Sequence, residues 1–438
     1  MNPLFEQQMK QLLGSEFDQY IACLENSAQR GFRINTLKTD ADTLFSVLDI
    51  SHRPSVFASN GYYTDAKAGI GYTPEYMAGA FYMQEPSASS AVTILDPKPG
   101  TKVLDLCAAP GSKSTQIAEM MNNEGLLVVN EINPKRAGIL LENIERHGCA
   151  NAVVTNSDTR VIADNLEEFF DYVLCDAPCS GEGMMRKEEE AVSQWSPQLV
   201  SHCASLQKEI LSNAYRCLKP GGILVYSTCT LNRSENEDQI LDFLSSYPDM
   251  HMVDAGVDFG RRAFETRMGI DKAVRIFPMD GGEGHFVARL QKDGKGKDYA
   301  LPNRKSDVIL KSTKQEIADI LPQPYPYMFS SCGKVYGGVN PFYDFGAIRI
   351  LRNQVLLGEE KKGRFELSHH FFMSAHSDFS YRFDMNDEQV RQYMHGEQIT
   401  SQFHKGYAAM CYHGYVIGGA RSDGKALKNR YPKAFRTR

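Results

Sequence analysis

The sequence has few cysteines and no long apolar run. Its 10 cysteines include no Cys-x-x-Cys pair, which argues against a disulfide framework and against a structural zinc site. No stretch approaches the roughly 18 apolar residues that a membrane-spanning helix requires, and residues 1–10 lack the apolar core of a secretory signal. We therefore expect a cytoplasmic protein that makes no membrane contact and holds no metal ion.

The sequence also lacks an overall excess of basic residues, because 54 aspartates and glutamates outnumber 48 lysines and arginines. This balance excludes a protein coated in basic surface. From Lys405 to Arg438, however, eight basic residues stand against the single acid Asp423, so this segment carries a net charge of +7. Such a local charge indicates one polyanion-binding face. A frayed, solvated tail is the alternative interpretation.

Hydrophobic residues make up 42% of the 438 residues and aromatic residues 10%, which is typical of a globular protein with about two to four domains. From about residue 87 onward, short apolar runs alternate with helical segments. This alternation predicts right-handed crossovers and a parallel, doubly wound α/β sheet. The predicted strands are 103–106, 125–129, 152–155, 170–175 and 223–227, and the predicted helices are 112–122, 134–147 and 199–217.

The regions on either side of this core have other patterns. Residues 1–30 are predicted to be helical, and residues 31–37 alternate like a strand. Residues 281–288 are typical of a late hairpin, and residues 291–298, with alternating lysine and glycine, are the predicted linker. Residues 414–418 are predicted to form a strand within a Tyr-, His- and Lys/Arg-rich C-terminal region.

Polar residues stand at or just after the ends of the predicted strands. In a doubly wound sheet, ligands bind at the carboxyl ends of the strands. Helix capping or a turn would explain any one of these residues but explains the whole set poorly. They are Asp105, Glu131, Asp158, Asp176 and Cys229.

The segment that joins the first strand to its helix has the composition of a ligand-binding turn. Its small residues allow close approach of a ligand to the backbone, and its free N–H groups face that ligand. It has neither the G-x-G-x-x-G of a dinucleotide site nor a complete phosphate loop, while Glu131 follows at the distance of an acid that accepts ribose hydroxyls. A nucleoside cofactor without pyrophosphate, such as S-adenosylmethionine, fits this pattern. The segment consists of Cys107, Ala108, Ala109, Pro110, Gly111, Ser112 and Lys113.

Two cysteines, Cys179 and Cys229, follow strand ends that would be neighbours in the sheet, so we expect both in one cleft. An isolated cysteine is more often an inert buried residue. We assign that packing role to Cys23, Cys149, Cys203, Cys217, Cys332 and Cys411, and also favour it over chemistry for Cys107 and Cys175.

Three segments carry a family resemblance: 105–115 (DLCAAPGSKST), 176–186 (DAPCSGEGMMR) and 227–237 (STCTLNRSENE). In order and spacing they resemble the successive motifs of the Fmu/Sun family of RNA cytosine-5 methyltransferases. Arg33–Leu37, Gln84-Glu85 and Gly281–Ala288 resemble further motifs of that family. Residues 181–186 and 423–433 resemble its RsmF/YebU branch, which modifies small-subunit ribosomal RNA. Ser112 departs from the family, since many relatives have glycine there, but serine is favourable at a helix start.

The resemblance implies a fold and a domain organisation. It implies a Rossmann-like class I methyltransferase sheet, a small N-terminal α+β domain and a C-terminal PUA-like RNA-binding region. The expected domains are 1–88, which is family-specific and RNA-binding, 89–292 for the methyltransferase, 300–370 as an intermediate domain and 371–438 for the PUA-like domain. It further implies a monomer that acts on ribosomal RNA, or on the small ribosomal subunit, with S-adenosylmethionine as cofactor.

The resemblance also implies roles for individual residues. Cys229 corresponds to the nucleophile that adds to C6 of cytosine, Cys179 to the residue that assists product release, and Asp176 to a hydrogen-bonding partner of the base. For Lys113 two roles stay open, holding Asp176 or holding the substrate. The implied cofactor residues are 107–113, Glu131 on the ribose, Arg136, Asp158 near the adenine, and Asp176. In the basic C-terminal segment, Lys425, Lys428, Arg430 and Lys433 are the predicted RNA contacts.

Two rival functions differ in what they require of the sequence. A DNA cytosine-5 methyltransferase would use Cys179 as its nucleophile and would not need Cys229. A ribosome-assembly factor without activity would need RNA-binding surface but no catalytic residues. The presence of Cys229, together with every other site residue, favours the RNA methyltransferase.

Overall fold

The structure is a computed structural model that describes residues 2–65, 70–187, 189–323, 325–361, 363–374 and 378–436. Arg438, the last residue of the predicted basic segment, lies outside the described residues. Within those ranges, no helix is both long and apolar enough to cross a membrane.

The N-terminal region contains helices and a small antiparallel sheet. The predicted helical stretch 1–30 ends at Leu24, and the predicted strand 31–37 ends at Ile34, because Asn35 accepts from the N–H groups of Leu37 and Lys38 and turns the chain. Helix α1 begins where the side chain of Asn2 caps the Leu4 N–H, and its apolar face packs with Tyr20 and Trp195. The sheet has the strand order β2-β3-β1-β4. The elements are α1 (Pro3–Leu13), α2 (Phe17–Leu24), β1 (Gly31–Ile34), α3 (Ala41–Val47), β2 (Arg53–Pro54), β3 (Gly61–Tyr63), α4 (Pro74–Met77) and β4 (Phe81–Met83).

The central region is a ten-stranded mixed sheet rather than a wholly parallel one. Five parallel strands form its middle, in the order β7-β6-β5-β8-β9, and correspond to the five predicted strands. Antiparallel strands extend both edges. The strands are β5 (Lys102–Asp105), β6 (Leu126–Asn130), β7 (Ala152–Thr155), β8 (Phe170–Asp176), β9 (Leu218–Thr228), β10 (Met250–Met252), β11 (Arg261–Arg262), β12 (Val274–Ile276), β13 (His285–Lys292) and β16 (Ile350–Asn353).

Three sequence predictions need correction in this sheet. Strand β9 begins at Leu218 instead of residue 223, because the Lys-Pro-Gly-Gly run continues the strand rather than ending the helix before it. In the predicted hairpin at 281–288, residues 281–284 form the turn, and β13 runs on to Lys292 through antiparallel pairing with β9. Residues 291 and 292, which the sequence predicts as the start of the linker, therefore belong to β13.

Helices cover both faces of the sheet, as a doubly wound fold requires. One apolar core lies under α5, α6 and α7, and the other lies under α8, α10 and α11. The helices are α5 (Ser90–Leu95), α6 (Ser112–Met120), α7 (Pro134–His147), α8 (Thr159–Asn165), α9 (Glu189–Gln194), α10 (Pro197–Cys217) and α11 (Glu237–Ser246).

The C-terminal region forms two further sheets, of four and five strands. Its β16 instead joins the central sheet beside β7, so part of segment 300–370 belongs to that sheet. The bounds of the expected domains stay predictions. The remaining elements are α12 (Lys311–Ile320), β14 (Tyr327–Ser331), β15 (Lys334–Gly338), β17 (Val355–Lys361), β18 (Arg364–Leu367), α13 (His369–Met373), β19 (Arg382–Asp384), α14 (Asp387–His395), β20 (Ile399–Thr400), β21 (Gly406–Tyr412), β22 (Tyr415–Ser422) and β23 (Ala426–Asn429).

The cysteines assigned to packing do not all lie in a core. Cys332 is exposed and Cys23 is half-buried, so the prediction of buried thiols is wrong for these two. Cys332 lies in the turn between β14 and β15 with a positive φ of 52°, where a core position is not available. The other four are buried as predicted: Cys149, Cys203, Cys217 and Cys411.

Candidate active site

The structure brings Cys179 and Cys229 together at the carboxyl edge of the sheet. Cys229 directly follows β9, and Cys179 lies three residues beyond the end of β8, its parallel neighbour. Their Sγ atoms are 3.2 Å apart, and both residues are half-buried. A shared hydrogen between the two sulfurs raises the pKa of Cys179 well above its ordinary value, and burial raises it further. The Cys179 thiol therefore keeps its proton near neutral pH.

A buried glutamate holds the loop that carries Cys179. Glu235 accepts hydrogen bonds from the backbone N–H of Ser180 (2.9 Å) and from its hydroxyl, and further bonds from Gln207 (2.8 Å) and Asn232 (2.7 Å). Burial raises the pKa of Glu235, while these donors oppose the shift. Since every donor points at one carboxylate, the loop has a fixed position relative to β9.

A second buried carboxylate holds the chain after Cys229. Glu182 accepts from the backbone N–H groups of Leu231 (2.8 Å) and Asn232 (2.7 Å), and the Trp195 indole donates to its other oxygen at 2.9 Å. The next residue, Gly183, donates its N–H to the Cys229 carbonyl at 2.9 Å. A Cβ on Gly183 would come within 2.5 Å of the Gly284 carbonyl, so this close approach requires glycine.

An ion pair stands in the same site. Lys113 Nζ lies 2.8 Å from Asp176 Oδ2, and the Ser227 hydroxyl donates to Asp176 Oδ1 at 2.7 Å. Burial alone would lower the pKa of Lys113, but the Asp176 carboxylate more than compensates and raises it above its ordinary value. The sequence left two roles open for Lys113, and in the structure this side chain contacts Asp176.

The segment from Cys107 to Lys113 forms a turn between β5 and α6. Gly111 has φ of +110°, a conformation that side chains rarely adopt, and helix α6 begins at Ser112. Arg136 donates to the Ala109 carbonyl at 2.9 Å, and Asn143 donates to the Pro110 carbonyl at 2.8 Å. Two carbonyls of the turn are thus held by α7, and the turn leads into α6, whose first N–H groups have no partner within the helix.

Glu131 is a buried carboxylate at the end of β6, with a residue exposure of 3%. Its Oε1 accepts from the Asn133 N–H at 2.8 Å, and its Oε2 lies 3.1 Å from Arg136 Nη1. Arg136 thus connects this carboxylate to the turn at Ala109. Asp158 lies after β7, is exposed, and caps α8 through the Arg160 N–H at 2.8 Å.

Asp105 ends β5 in a fully buried position. The Ser114 hydroxyl donates to its Oδ2 at 2.6 Å, whereas its buried Oδ1 has no hydrogen-bond partner among the described residues. Burial raises the pKa of Asp105 to about 7. The sequence predicts that Asp105 lies at a strand end but assigns it no individual role. The structure shows that its buried Oδ1 could accept a hydrogen bond from a ligand.

The predicted RNA contacts lie in another part of the molecule. Lys425, Lys428, Arg430 and Lys433 are all exposed on or next to β23 in the C-terminal five-stranded sheet. Lys428 Nζ lies 3.3 Å from Asp423, and Arg430 lies 3.7 Å from Glu366. Exposed pairs of this kind are weak, so both side chains can exchange partners for phosphate.

Sequence reasoning missed the supporting carboxylates Glu182 and Glu235, although both lie inside the quoted motifs. A third residue of this kind, Glu237, forms a fully buried ion pair with Arg275, which also donates to the Leu231 carbonyl at 2.7 Å. Breaking such a buried pair costs about 3–5 kcal/mol. The described ranges hold no group of three or more side chains arranged to bind a metal ion.

Three parts of the chain match known protein families. Residues 92–291 match the family 16S rRNA methyltransferase RsmB/F, residues 1–86 match the N-terminal domain of 16S rRNA methyltransferase RsmF, and residues 380–437 match the methyltransferase RsmF PUA domain.

Curated relatives and a solved structure agree with these matches. The ribosomal RNA small subunit methyltransferase F of Vibrio vulnificus is 32% identical over 98% of this chain and 96% of that protein. The Escherichia coli protein of the same name is 39% identical over 66% of this chain and 62% of its own length. Among solved structures, a methyltransferase homologue from Pyrococcus horikoshii is 31% identical with a TM-score of 0.58, over 67% of this chain and 95% of that one.

Proposed function

Because the chain belongs to the 16S rRNA methyltransferase RsmB/F family, we propose that it methylates C5 of cytosine in small-subunit ribosomal RNA, with S-adenosylmethionine as methyl donor, through a covalent Cys229–C6 intermediate. The observation that carries this proposal is the pair of thiols 3.2 Å apart, next to the Lys113–Asp176 ion pair. Either free RNA or the small ribosomal subunit would present the base.

The residues at the strand ends fit S-adenosylmethionine. The unpartnered Oδ1 of Asp105 is a buried acceptor that a donor on the cofactor would satisfy, and the Cys107–Lys113 turn offers backbone N–H groups beside it. Glu131 is held where it would accept both ribose hydroxyls, and Asp158 would lie toward the adenine. When bound, the cofactor supplies an electrophilic methyl group on a sulfonium.

Cytosine C5 is a weak nucleophile, so Cys229 must first add to C6. The thiolate is the reactive form of cysteine. The Cys179 thiol keeps its proton and lies 3.2 Å from the Cys229 sulfur, so it would donate a hydrogen bond to that sulfur during its attack on C6. The raised pKa of Cys179 also argues against the DNA-type mechanism, which would require a thiolate at Cys179.

Asp176 would accept hydrogen bonds from the edge of the base and orient C6 toward Cys229. Lys113 and the Ser227 hydroxyl hold the Asp176 carboxylate from two sides. The side chain is therefore already ordered and loses little conformational freedom when the base binds. After methyl transfer, a solvent water would take the C5 proton, the C5–H electron pair would re-form the C5–C6 double bond, and the Cys229 sulfur would leave C6 as a thiolate. Cys179 would assist this release by donating a hydrogen bond from its thiol to the leaving sulfur. The base must leave its stack to reach these groups, so a single-stranded or flipped target is expected.

The proposal is tested by bisulfite sequencing of small-subunit ribosomal RNA incubated with S-adenosylmethionine in the presence and absence of this protein. We expect at least one cytosine to resist conversion only when the protein is present. Methyl incorporation at another atom or base, or no incorporation into either free RNA or the subunit, would contradict it.

Glu131→Ala is expected to weaken binding of S-adenosylmethionine. The carboxylate would form charge-assisted hydrogen bonds to the ribose, each contributing about 1.5–3 kcal/mol. Calorimetry with the folded variant measures the loss. Glu142→Ala, which removes an exposed carboxylate from helix α7, serves as the matched control. Equal affinity of both variants would exclude the ribose role.

Neutralising Lys425, Lys428, Arg430 and Lys433 together is expected to weaken RNA binding and leave cofactor binding unchanged. The salt dependence should flatten by roughly 0.7–0.9 log unit of slope for each lost phosphate contact. Titration of RNA at several salt concentrations measures the slope. If the slope is unaltered, the segment is solvated surface with no RNA contact.

A further inference from the structure

A groove of about 1090 Å³ lies between the N-terminal sheet and the loop that carries Cys179. One wall comes from the connection of α2 to β1 and from the ends of β2 and β3, and another comes from the residues that follow β4. Arg186 and Lys187, from the loop after Cys179, complete the lining. The groove exceeds the 300–1,000 Å³ that is typical of a small-molecule site.

The charged residues that line this groove are mainly basic. They are Arg30, Arg53, Arg186 and Lys187 against the two acids Asp65 and Glu85, and Arg186 is paired with the buried Glu283. Arg30 and Arg53 are exposed. The guanidinium of Arg53 lies 4.1 Å from the ring centre of Tyr63, which also lines the groove. Tyr63 is itself buried under Arg53, so the exposed guanidinium plane of Arg53 is the surface that would hold a phosphate or a stacked base of a single strand.

A buried amide supplies an independent indication of a ligand. Gln84 lines the groove but is only 8% exposed. Its Oε1 accepts from Arg33, which fixes the orientation of the amide, and its buried Nε2 has no partner in the described ranges. An unpaired buried donor is costly unless a ligand supplies the acceptor. The phosphate oxygens or base carbonyls of RNA are acceptors of this kind.

The groove connects to the active site through a short buried chain of contacts. Glu85, in its lining, accepts from the Ser87 hydroxyl at 2.7 Å, and that hydroxyl lies 2.9 Å from His285 Nδ1. Burial, and then the charges of Lys113 and Lys187, lower the pKa of His285 to about 3. The next residue, Phe286, pairs with Thr228, which directly precedes Cys229, so this chain of contacts ends beside the strand that carries Cys229.

We propose that this groove binds the single-stranded RNA next to the target cytosine, with Arg30 and Arg53 on phosphates and the Gln84 amide on a phosphate or base oxygen. The proposal rests on the proposed function only for the identity of the nucleic acid. It assigns RNA contacts beyond the basic C-terminal segment, and it places them within a few side chains of Cys179 and Cys229.

The first test is RNA binding by the full chain carrying both Arg30→Gln and Arg53→Gln, measured by fluorescence anisotropy with a short single-stranded RNA that contains cytosine. We expect affinity to fall on the order of tenfold for each lost phosphate contact, and the salt slope to decrease by about 0.7 per contact. The double variant Arg262→Gln/Arg304→Gln removes the same two unit charges at exposed positions outside the groove and should change neither. Equal binding by the groove variant and this control would overturn the proposal.

The second test is Gln84→Glu, which keeps an acceptor for Arg33 while replacing the unpaired donor by a negatively charged oxygen. We expect RNA affinity to fall at least as far as for one arginine, with unchanged thermal unfolding and cofactor affinity. Full RNA affinity in the folded variant would contradict a contact from this amide.

Crosslinking separates this proposal from the proposed function. RNA carrying 4-thiouridine beside cytosine should crosslink to peptides that contain residues 27–31, 51–53 or 83–85, even with Cys229→Ala, which cannot react with the base. Crosslinks confined to the C-terminal sheet would overturn the groove assignment. If crosslinks form in the groove but bisulfite sequencing finds no modified cytosine, the groove stands and the proposed chemistry fails.

Discussion

Cys229→Ala should abolish methyl transfer to RNA while the protein stays folded and binds S-adenosylmethionine normally. The substitution removes the sulfur that would add to C6, and no other described sulfur follows β9 at the cleft. Loss of a catalytic nucleophile typically reduces turnover by a factor on the order of 10⁴–10⁶. Incorporation of labelled methyl groups into RNA measures this loss, and a denaturing gel should show no covalent protein–RNA complex.

Cys332→Ala is the matched control, because this thiol is exposed and lies in the turn between β14 and β15. It should retain full activity. Substantial methylation by Cys229→Ala would show that the covalent route through this residue is wrong. Retained methylation together with loss of activity in Cys179→Ala would instead favour the DNA-type mechanism.

The position of the site could be predicted from sequence because it depends on topology. Parallel strands end at a common edge, so residues placed directly after β8 and β9 must lie near each other whatever surrounds them. For this reason the sequence alone predicts that Cys179 and Cys229 share one cleft, and the distance of 3.2 Å between their sulfurs agrees with that prediction. The same argument located Asp105, Glu131 and Asp176.

Contacts between distant segments could not be predicted from the sequence. Glu182 meets Leu231 and Asn232 only because two loops fold against each other, and no local spacing encodes that pairing. The addition of β16 to the central sheet is of the same type, since its partner β7 lies about 200 residues earlier in the chain. The choice between two roles for Lys113 likewise depended on a distance, 2.8 Å to Asp176.

The N-terminal and C-terminal regions share one apolar core, although the sequence predicts them as separate domains. Phe32 and Phe81 of the first sheet pack in one cluster with Tyr393, Ile417 and Tyr431 of the last. The two sheets therefore pack directly against each other.

Cys179→Ala should produce the opposite defect from Cys229→Ala, because the nucleophile remains and only the group that assists release is lost. The enzyme would attack C6 and methylate C5, but loss of the C5 proton and cleavage of the Cys229–C6 bond would be slow. We expect turnover to fall sharply and a covalent protein–RNA complex to accumulate, visible as a shifted band on a denaturing gel.

The double variant Cys179→Ala/Cys229→Ala decides whether that band arises from Cys229. It lacks the attacking sulfur, so the band should disappear even though the Cys179 defect is still present. Since the 3.2 Å contact between the thiols is also lost, thermal unfolding of all three variants should be compared to exclude a folding defect. A band that persists in the double variant would mean that another group attacks the RNA, and a Cys179→Ala enzyme with normal turnover would mean that this thiol has no part in release.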